Sequence, residues 1–226
     1  MRRLLFLLIF GIAGTAILVA LGNWQVRRLA WKEAVLAEIE TRIAAAPEPL
    51  PATPDPEADR YLPVTVAGTM EPGELDVLIS TKDLGAGYRL IAPFVTETGR
   101  RIMIDRGFIP TVDKSAARGI GAMTVTGNLH WPDEVDSFTP EPDTAANIWF
   151  ARDVPRMAAA LRTEPVLLIA RSETDPGVLP LPVDTVGIPN DHLQYAVTWY
   201  GLALIWAVMT LYFLWRTRAR SRSSKE

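Results

Sequence analysis

The sequence of 226 residues contains no cysteine and only two histidines, His130 and His192. The absence of cysteine excludes disulfide bonds, iron–sulfur clusters, covalently attached haem and thiolate metal sites. Two histidines are too few for a metal centre built from three imidazoles of one chain. The net charge of −3 and the pI of about 5.5 exclude a strongly basic nucleic-acid-binding protein. The apolar fraction of 49% excludes an intrinsically disordered chain.

Several catalytic motifs are also missing. The sequence has no GxSxG nucleophile motif and neither of the glycine-rich phosphate loops, GxxxxGK[ST] and GxGxxG. The acidic clusters at residues 55–59 and 133–136 lie beside prolines, a setting typical of solvated loops and not of metal sites. These absences argue against a membrane-anchored hydrolase.

Two long uncharged segments, residues 4–21 and 193–215, predict transmembrane helices. A helix needs about 20 apolar residues to cross the hydrocarbon core of a bilayer. We assign residues 1–22 to a cytoplasmic start followed by the first span, and residues 191–215 to the second span. The first apolar run exceeds the usual 7–15 residues of a signal peptide, so we expect an anchor that is not cleaved.

The distribution of charge predicts the orientation of these spans. Five basic residues follow the second span, in a predicted cytoplasmic tail of residues 216–226, and two arginines precede the first span. Basic flanks stay in the cytoplasm, so both termini are expected there and the intervening domain is expected in the periplasm. Arg27, Arg28 and Lys32 lie just after the first span and oppose this orientation, but the five basic residues after the second span outnumber them. Because no Arg- and Ser-rich transit peptide precedes the first span, we expect a bacterial inner membrane.

Residues 23–46 are predicted to continue the first span as an amphipathic juxtamembrane helix. Its apolar residues recur at spacings of seven and four, at Trp24, Trp31, Val35, Ile39 and Ile43. The two tryptophans suit the level of the lipid headgroups. Five prolines within residues 47–56 end the helix and predict an extended linker.

Residues 47–190 are predicted to form an extracytoplasmic, mainly β domain. Short runs rich in Val, Ile and Leu predict strands at residues 61–67, 75–80, 88–96, 101–105, 122–129 and 166–171. Glycines predict hairpin turns at 85–87 and 98–99, and residues 155–162 predict one short helix with Asp153 as its N-cap. The fold class is therefore an α+β membrane protein, with a mainly antiparallel sheet or open barrel and a helix packed on it.

Two further segments of this domain have predicted structural roles. The Asp-Arg-Gly sequence at residues 105–107 is expected to close a strand and to contribute little beyond local structure. The proline-rich residues 173–189 are expected to be the linker back to the membrane.

His192 begins the second span and is the candidate site residue. At helical spacing it shares a face with Tyr195 and Trp199. A neutral imidazole is a good axial ligand for haem iron, and aromatic side chains can cover the apolar faces of a porphyrin. The alternative is that His192 only marks the polar interface, with Asn190 or Asp191 capping the helix.

Five segments of the sequence resemble the Surfeit locus protein 1 family, which comprises membrane factors for cytochrome c oxidase assembly. In chain order they are LGNWQVRRLAWK at 21–32, GYRLIAPF at 87–94, IDRGFIP at 104–110, NIWFARD at 147–153 and NDHLQYAVTWYGLA at 190–203. Two spans that enclose an extracytoplasmic domain are the family's topology as well.

The resemblance implies a non-enzymatic role in building the haem a centre of cytochrome c oxidase subunit I. Bacterial members look like proteins that bind haem a transiently after receiving it from haem A synthase. By position, His192 matches the family's haem-linked histidine, which makes it the expected axial ligand of the iron. Tyr195 and Trp199 are the other expected haem contacts. No role with nucleic acid is implied, and a scaffold that binds subunit I or the synthase without haem is the alternative.

One departure from the family concerns the residue before the histidine. Asp191 stands where many members have another polar residue, and its charge favours an imidazolium unless it orients the ring. The other residues of the resembling segments are expected to stabilise the fold or to contact partners; they include Trp24, Gln25, Arg28, Trp31, Arg89, Asp105 and Arg106. His130 matches no family histidine and is expected in a loop.

Overall fold

The computed structural model describes residues 2–223 and divides the chain into two compact units. The helical unit consists of the residues up to Glu38 and those from Val186 onward, and the β unit is Ile39–Thr185. The elements in chain order are α1 (Arg2–Ala44), β1 (Glu48–Pro49), β2 (Pro63–Met70), β3 (Leu75–Thr81), β4 (Gly85–Thr96), β5 (Arg101–Pro110), a 3₁₀ turn (Thr111–Asp113), β6 (Gly121–Leu129), β7 (Ile148–Trp149), α2 (Val154–Leu161), β8 (Leu167–Ala170) and α3 (His192–Ser223).

The helices α1 and α3 confirm the prediction of two long apolar helices that flank a β-rich domain. Both are long and apolar enough to cross a membrane. The helix α1 continues without a break beyond the apolar run, as predicted, and ends at Ala44 shortly before Pro47. The helix α3 continues into the basic tail as far as Ser223; residues 224–226 of that predicted tail lie outside the described residues.

Small residues allow α1 and α3 to approach each other closely. A Cβ atom added to Gly11 would overlap the side chain of Thr210, and one added to Gly22 would lie 2.7 Å from Tyr200 Cε1. The indole Nε1–H of Trp206 donates a hydrogen bond to the carbonyl oxygen of Gly11 at 3.1 Å. Small residues at such contacts are typical of paired membrane helices, because they let the two backbones pack together.

Five strands of the β unit close into a barrel. The strand β2 pairs with β6, β6 with β8, β8 with β5, β5 with β4, and β4 again with β2. Closure depends on residues 68–70, which pair both with β4 and with β6. Gly68 is required at this crossing, because a Cβ atom there would overlap the carbonyl oxygen of Val95. The domain expected to be a sheet or an open barrel is therefore closed.

Within residues 2–223, five strand pairings are antiparallel and three are parallel, which confirms the mainly antiparallel prediction. The barrel interior is filled by apolar side chains such as Phe94, Ile104 and Leu168, all fully buried. A second core lies outside the barrel, where α2 packs Met157 and Leu161 against it. Burial of apolar area, at about 25 cal/mol per Å², is the main source of stability for both layers.

The local predictions for the β unit are mostly confirmed, with differences at the ends of elements. The helix α2 has Asp153 as its N-cap, whose carboxylate accepts a hydrogen bond from the backbone N–H of Arg156. The hairpin turn predicted at 85–87 is wrong by a few residues, because Gly85 and Gly87 already belong to β4. The strands β1 and β7 were not predicted, because two residues are too few to show an alternating pattern.

The prediction that Asp105, Arg106 and Gly107 close a strand is wrong. The strand β5 continues to Pro110, and its register against β4 shifts beside Gly107, which has a φ of +118°. The segment predicted as a plain linker at 173–189 crosses this point, where Leu179 and Phe108 exchange two backbone hydrogen bonds of 2.9 and 2.7 Å. A side chain at Gly107 would overlap the carbonyl oxygen of Leu179, so the glycine permits this contact.

We predict that Gly68→Ala destabilises the barrel by about 1–3 kcal/mol, the usual cost of forcing extra atoms into a packed region. The reason is the overlap between the new methyl group and the Val95 carbonyl oxygen. Thermal unfolding of the full chain in detergent measures the effect. The matched control is Gly187→Ala, where no heavy atom lies within 4 Å of the added methyl group. Equal unfolding temperatures for the two variants would contradict the prediction.

Candidate functional site

His192 and Gln25 meet in the helical unit, where α3 begins. The imidazole Nδ1 of His192 lies 2.8 Å from the side-chain oxygen Oε1 of Gln25. Gln25 is on α1 and is only 8% exposed, whereas His192 is half-buried. A buried carboxamide needs a hydrogen-bond partner, and His192 supplies one.

This contact fits one neutral form of the His192 ring. A carboxamide oxygen can only accept, so Nδ1–H is the donor in the neutral imidazole. The lone pair is then on Nε2, the form of histidine that ligates a metal through Nε2. Metal-binding histidines usually donate their other N–H to an oxygen in this manner.

The other two predicted site residues differ in exposure. Trp199 is half-buried, like His192, whereas Tyr195 is 55% exposed. Between them in sequence, Ala196 is buried, so the packed stripe of α3 contains positions 192, 196 and 199. Tyr195 lies beside this stripe, with most of its ring available for contact.

The residues before His192 do not orient its ring. Asp191 is exposed, and its carbonyl oxygen accepts a hydrogen bond from the backbone N–H of Tyr195 at 3.1 Å, in the first turn of α3. Asn190 has a buried side-chain oxygen that finds no hydrogen-bond partner within residues 2–223. Unpaired buried polar atoms are uncommon in proteins and occur at ligand sites.

A haem group would need an imidazole that can ligate its iron and apolar surface to cover its ring, and residues of both types are present here. His192 offers Nε2, and Tyr195 and Trp199 offer aromatic surface on the same helix. A bare metal ion has no comparable site, because the described part of the chain brings no three carboxylates or histidines together in a cluster able to hold one. In the two acidic clusters that were predicted to lie in loops, carboxylates accept hydrogen bonds from nearby backbone N–H groups. Asp55 accepts from Ala58, and Asp136 accepts from Phe138.

The remaining residues of the first resembling segment lie on α1 near Gln25. Trp24 and Trp31 are about half exposed. The guanidinium of Arg28 lies over the Trp31 ring, 4.2 Å from its centroid. This is a cation–π contact, and it leaves both indoles on the outside of the helix, in agreement with an interfacial role.

In the β unit, Asp105 is a fully buried carboxylate between two arginines. Its Oδ2 lies 2.8 Å from Arg89 Nε and 3.4 Å from Arg152 Nη1. Arg152 also forms an ion pair with Glu134. Burial lowers the pKa of Arg89 even though Asp105 opposes this shift. Arg89 also donates to the carbonyl oxygen of Leu181 at 2.6 Å, which ties the segment after the barrel to the barrel wall.

Arg106 forms a separate network on the other face of β5. Its side chain is buried, lies 3.5 Å from Asp175 and 3.8 Å from Glu74, and donates to the carbonyl oxygen of Gly119 at 3.0 Å. The expectation that the Asp-Arg pair contributes little is therefore wrong, because both side chains are buried and paired with remote residues. Both side chains form contacts within the β unit, as one of the two expectations for the resembling segments has it; contact with a partner stays a prediction.

His130 lies directly after β6, in a loop as expected, but its ring is packed. It stacks on Tyr61 with ring centroids 5.2 Å apart, and its Nδ1 is buried without a hydrogen-bond partner among the described residues. Burial, aided by the positive charges of Arg152 and Arg60, lowers the pKa of His130 to about 4. The ring is therefore neutral at physiological pH.

In chain order, an apolar helix is followed by a closed barrel and then by a second apolar helix that begins at a histidine. This order defines the class of protein: a β barrel flanked in sequence by two candidate membrane spans. The model of the SURF1 family matches residues 12–204. Surfeit locus protein 1 of Rattus norvegicus is 31% identical over 206 residues, which cover 80% of this chain and 67% of the relative. The human protein of that name is 31% identical over 207 residues, with shares of 81% and 69%.

A SURF1-like protein of Monosiga brevicollis is 31% identical over 223 residues, which cover 90% of this chain and 85% of the relative. The chain belongs to the SURF1 family. Family membership and the two candidate spans together indicate a membrane protein. The predicted resemblance is confirmed.

We predict that Asp105→Asn destabilises the β unit by about 3–5 kcal/mol, because it leaves two buried guanidinium groups without their shared carboxylate. The matched control is Glu141→Gln, which removes an exposed ion pair with Arg156 and is expected to be nearly neutral. Denaturant unfolding of the full chain measures both. Similar losses in the two variants would show that burial does not govern the strength of these pairs.

The low pKa of His130 predicts acid sensitivity. The unfolded chain takes up a proton on this histidine below about pH 6.5, whereas the folded chain does so only near pH 4. Folding stability is therefore lost as pH falls through this window, by about 2 kcal/mol between pH 7 and pH 5. In His130→Phe, which retains a ring against Tyr61, this part of the pH dependence should disappear. Parallel pH profiles of unfolding temperature for both proteins would refute the assignment.

Proposed function

We propose that this protein is a cytochrome c oxidase assembly factor that binds haem a and assists its insertion into oxidase subunit I. The observation that carries the proposal is the orientation of His192, whose Nδ1 is engaged by Gln25 so that Nε2 retains its lone pair. Membership of the SURF1 family and the matched segment around residue 192 support it. The protein acts in this proposal without catalysing a reaction.

The proposed location is the bacterial inner membrane, with both termini in the cytoplasm and the β unit in the periplasm. The support is the excess of basic residues outside the two spans and the acidic balance between them. This orientation puts residue 192 at the periplasmic edge of the second span. A haem bound by His192 would then be at the boundary between lipid and water, which suits a group that has both an apolar ring and carboxylates.

In the proposed site, His192 is the axial ligand of the iron, and Tyr195 and Trp199 contact the porphyrin. When bound, the haem would supply an iron that an imidazole can ligate and an apolar ring that aromatic side chains can cover. The chain's own residues orient one imidazole and offer aromatic surface, and they bring no second histidine into the helical unit. Binding through one protein ligand suits a cofactor that is received from haem A synthase and passed on to subunit I.

We predict that His192→Ala abolishes most haem binding when the full chain is purified in detergent from cells that make haem a. The absorbance spectrum of the purified protein, scaled to protein concentration, measures the bound haem. The control is His130→Phe, which removes the other histidine of the chain and should retain full haem content. Unchanged haem content after His192→Ala would exclude His192 as the ligand.

A second candidate function is a scaffold that binds subunit I or the synthase without haem. It is favoured by Phe138, which is 89% exposed on a tight turn held by Asp136 and Thr139. Aromatic side chains are enriched in the buried centre of protein interfaces, so Phe138 is the residue at which such a contact can be tested. Copurification of subunit I with haem-free wild-type protein, and its loss in Phe138→Ser, would support the scaffold; copurification only with haem-loaded protein would exclude it.

A further inference from the structure

We propose that Gln25 is the positioning residue of the haem site: its carboxamide oxygen holds His192 in the Nδ1–H tautomer and sets how strongly Nε2 binds iron. This inference rests on the proposed function for its link to haem. The state of the His192 ring itself can be tested in protein that contains no haem.

The burial of Gln25 is the first argument. Its side chain is 8% exposed on the face of α1 that packs toward α3, where an unpaired amide is costly. Its oxygen contacts Nδ1 of His192, 167 positions away in sequence, at 2.8 Å. A leucine would fill this position with more hydrophobic burial, so stability alone does not explain a glutamine there.

The second argument is that the contact is held in register by its neighbours. Two positions before Gln25, Asn23 Oδ1 accepts a hydrogen bond of 2.7 Å from the hydroxyl of Tyr200. The Tyr200 ring in turn packs on the bare backbone of Gly22. These two contacts with Tyr200 lie within one turn of Gln25 on α1. They restrict rotation and sliding of α1 against α3, so the oxygen of Gln25 remains opposite His192.

The third argument concerns the strength of the iron–imidazole bond. An oxygen that accepts the Nδ1–H makes the ring a better electron donor at Nε2, and a carboxylate does so more than a neutral amide. Gln25 is neutral, and the nearest acidic residue in sequence to His192, Asp191, is exposed. The neutral carboxamide of Gln25 therefore orients the imidazole ring but strengthens the iron–Nε2 bond less than a carboxylate would. A weaker bond suits a haem that must be released.

The first experiment is nuclear magnetic resonance of the haem-free full chain in detergent, labelled with ¹⁵N-histidine. Only two histidines give signals, and His130→Phe identifies the one from His192. We expect the Nδ1–H tautomer in the wild type and in Gln25→Glu, which keeps an acceptor. In Gln25→Leu the ring should shift toward the Nε2–H tautomer, which an imidazole in water favours. The matched control Thr15→Val removes a hydrogen bond within α1, ten residues before Gln25, and should leave the tautomer unchanged.

The second experiment titrates haemin into the same haem-free variants and follows the Soret band. We expect Gln25→Leu to weaken haemin binding about 10–100-fold, as loss of a partner behind a metal ligand usually does. Gln25→Glu should bind more tightly than the wild type, and its iron should have a lower reduction potential. A residue with a purely structural role would not produce this opposite response to glutamate and leucine.

The two experiments separate the possible failures. An Nε2–H tautomer in the wild type, or a tautomer that is insensitive to Gln25→Leu, would overturn the role of Gln25. Equal haemin binding by the wild type and His192→Ala would overturn the proposed function, whatever the tautomer is. The proposal and the proposed function are both supported if Gln25→Leu loses the Nδ1–H tautomer and binds haemin more weakly while Thr15→Val shows neither effect.

Discussion

The close packing of α1 against α3 is the constraint on which the candidate site depends. Glycines at positions 11 and 22 leave room for the side chains of Thr210 and Tyr200, so the two helix backbones lie near each other. Only at this separation can the side chain of Gln25 reach the ring of His192. Because each helix is rigid, one register fixed by these contacts orients the imidazole at the start of α3.

The main feature of the β unit is a pair of buried charged side chains on one barrel strand. Apolar side chains fill its interior, while Asp105 and Arg106 occupy adjacent positions on β5 and point to opposite faces. Each is paired with remote residues, Arg89 and Arg152 in one case and Asp175 in the other. These pairs join β5 to segments that lie far from it in sequence, so both charged residues stabilise contacts within the β unit.

Much of the fold could be predicted because it is encoded locally. Uncharged runs predicted the two apolar helices, and alternating apolar residues predicted most strands. Asp153, two positions before Pro155, predicted the start of α2. The closure of the barrel could not be predicted in this manner. It depends on residues 68–70 pairing with two strands at once, and no periodicity within β2 reports a second partner.

The candidate site also has one part that the sequence predicted and another that depends on contacts between distant residues. The sequence by itself determined that the chain has one histidine at the edge of an apolar helix, aromatic residues at helical spacing from it, and the segments typical of the SURF1 family. Only the tertiary structure decided that Gln25 engages Nδ1 of that histidine and that Asp105 is buried between two arginines. The physical reason is that spacing along a chain defines a helix face or a strand face, whereas partners far apart in sequence are chosen by packing.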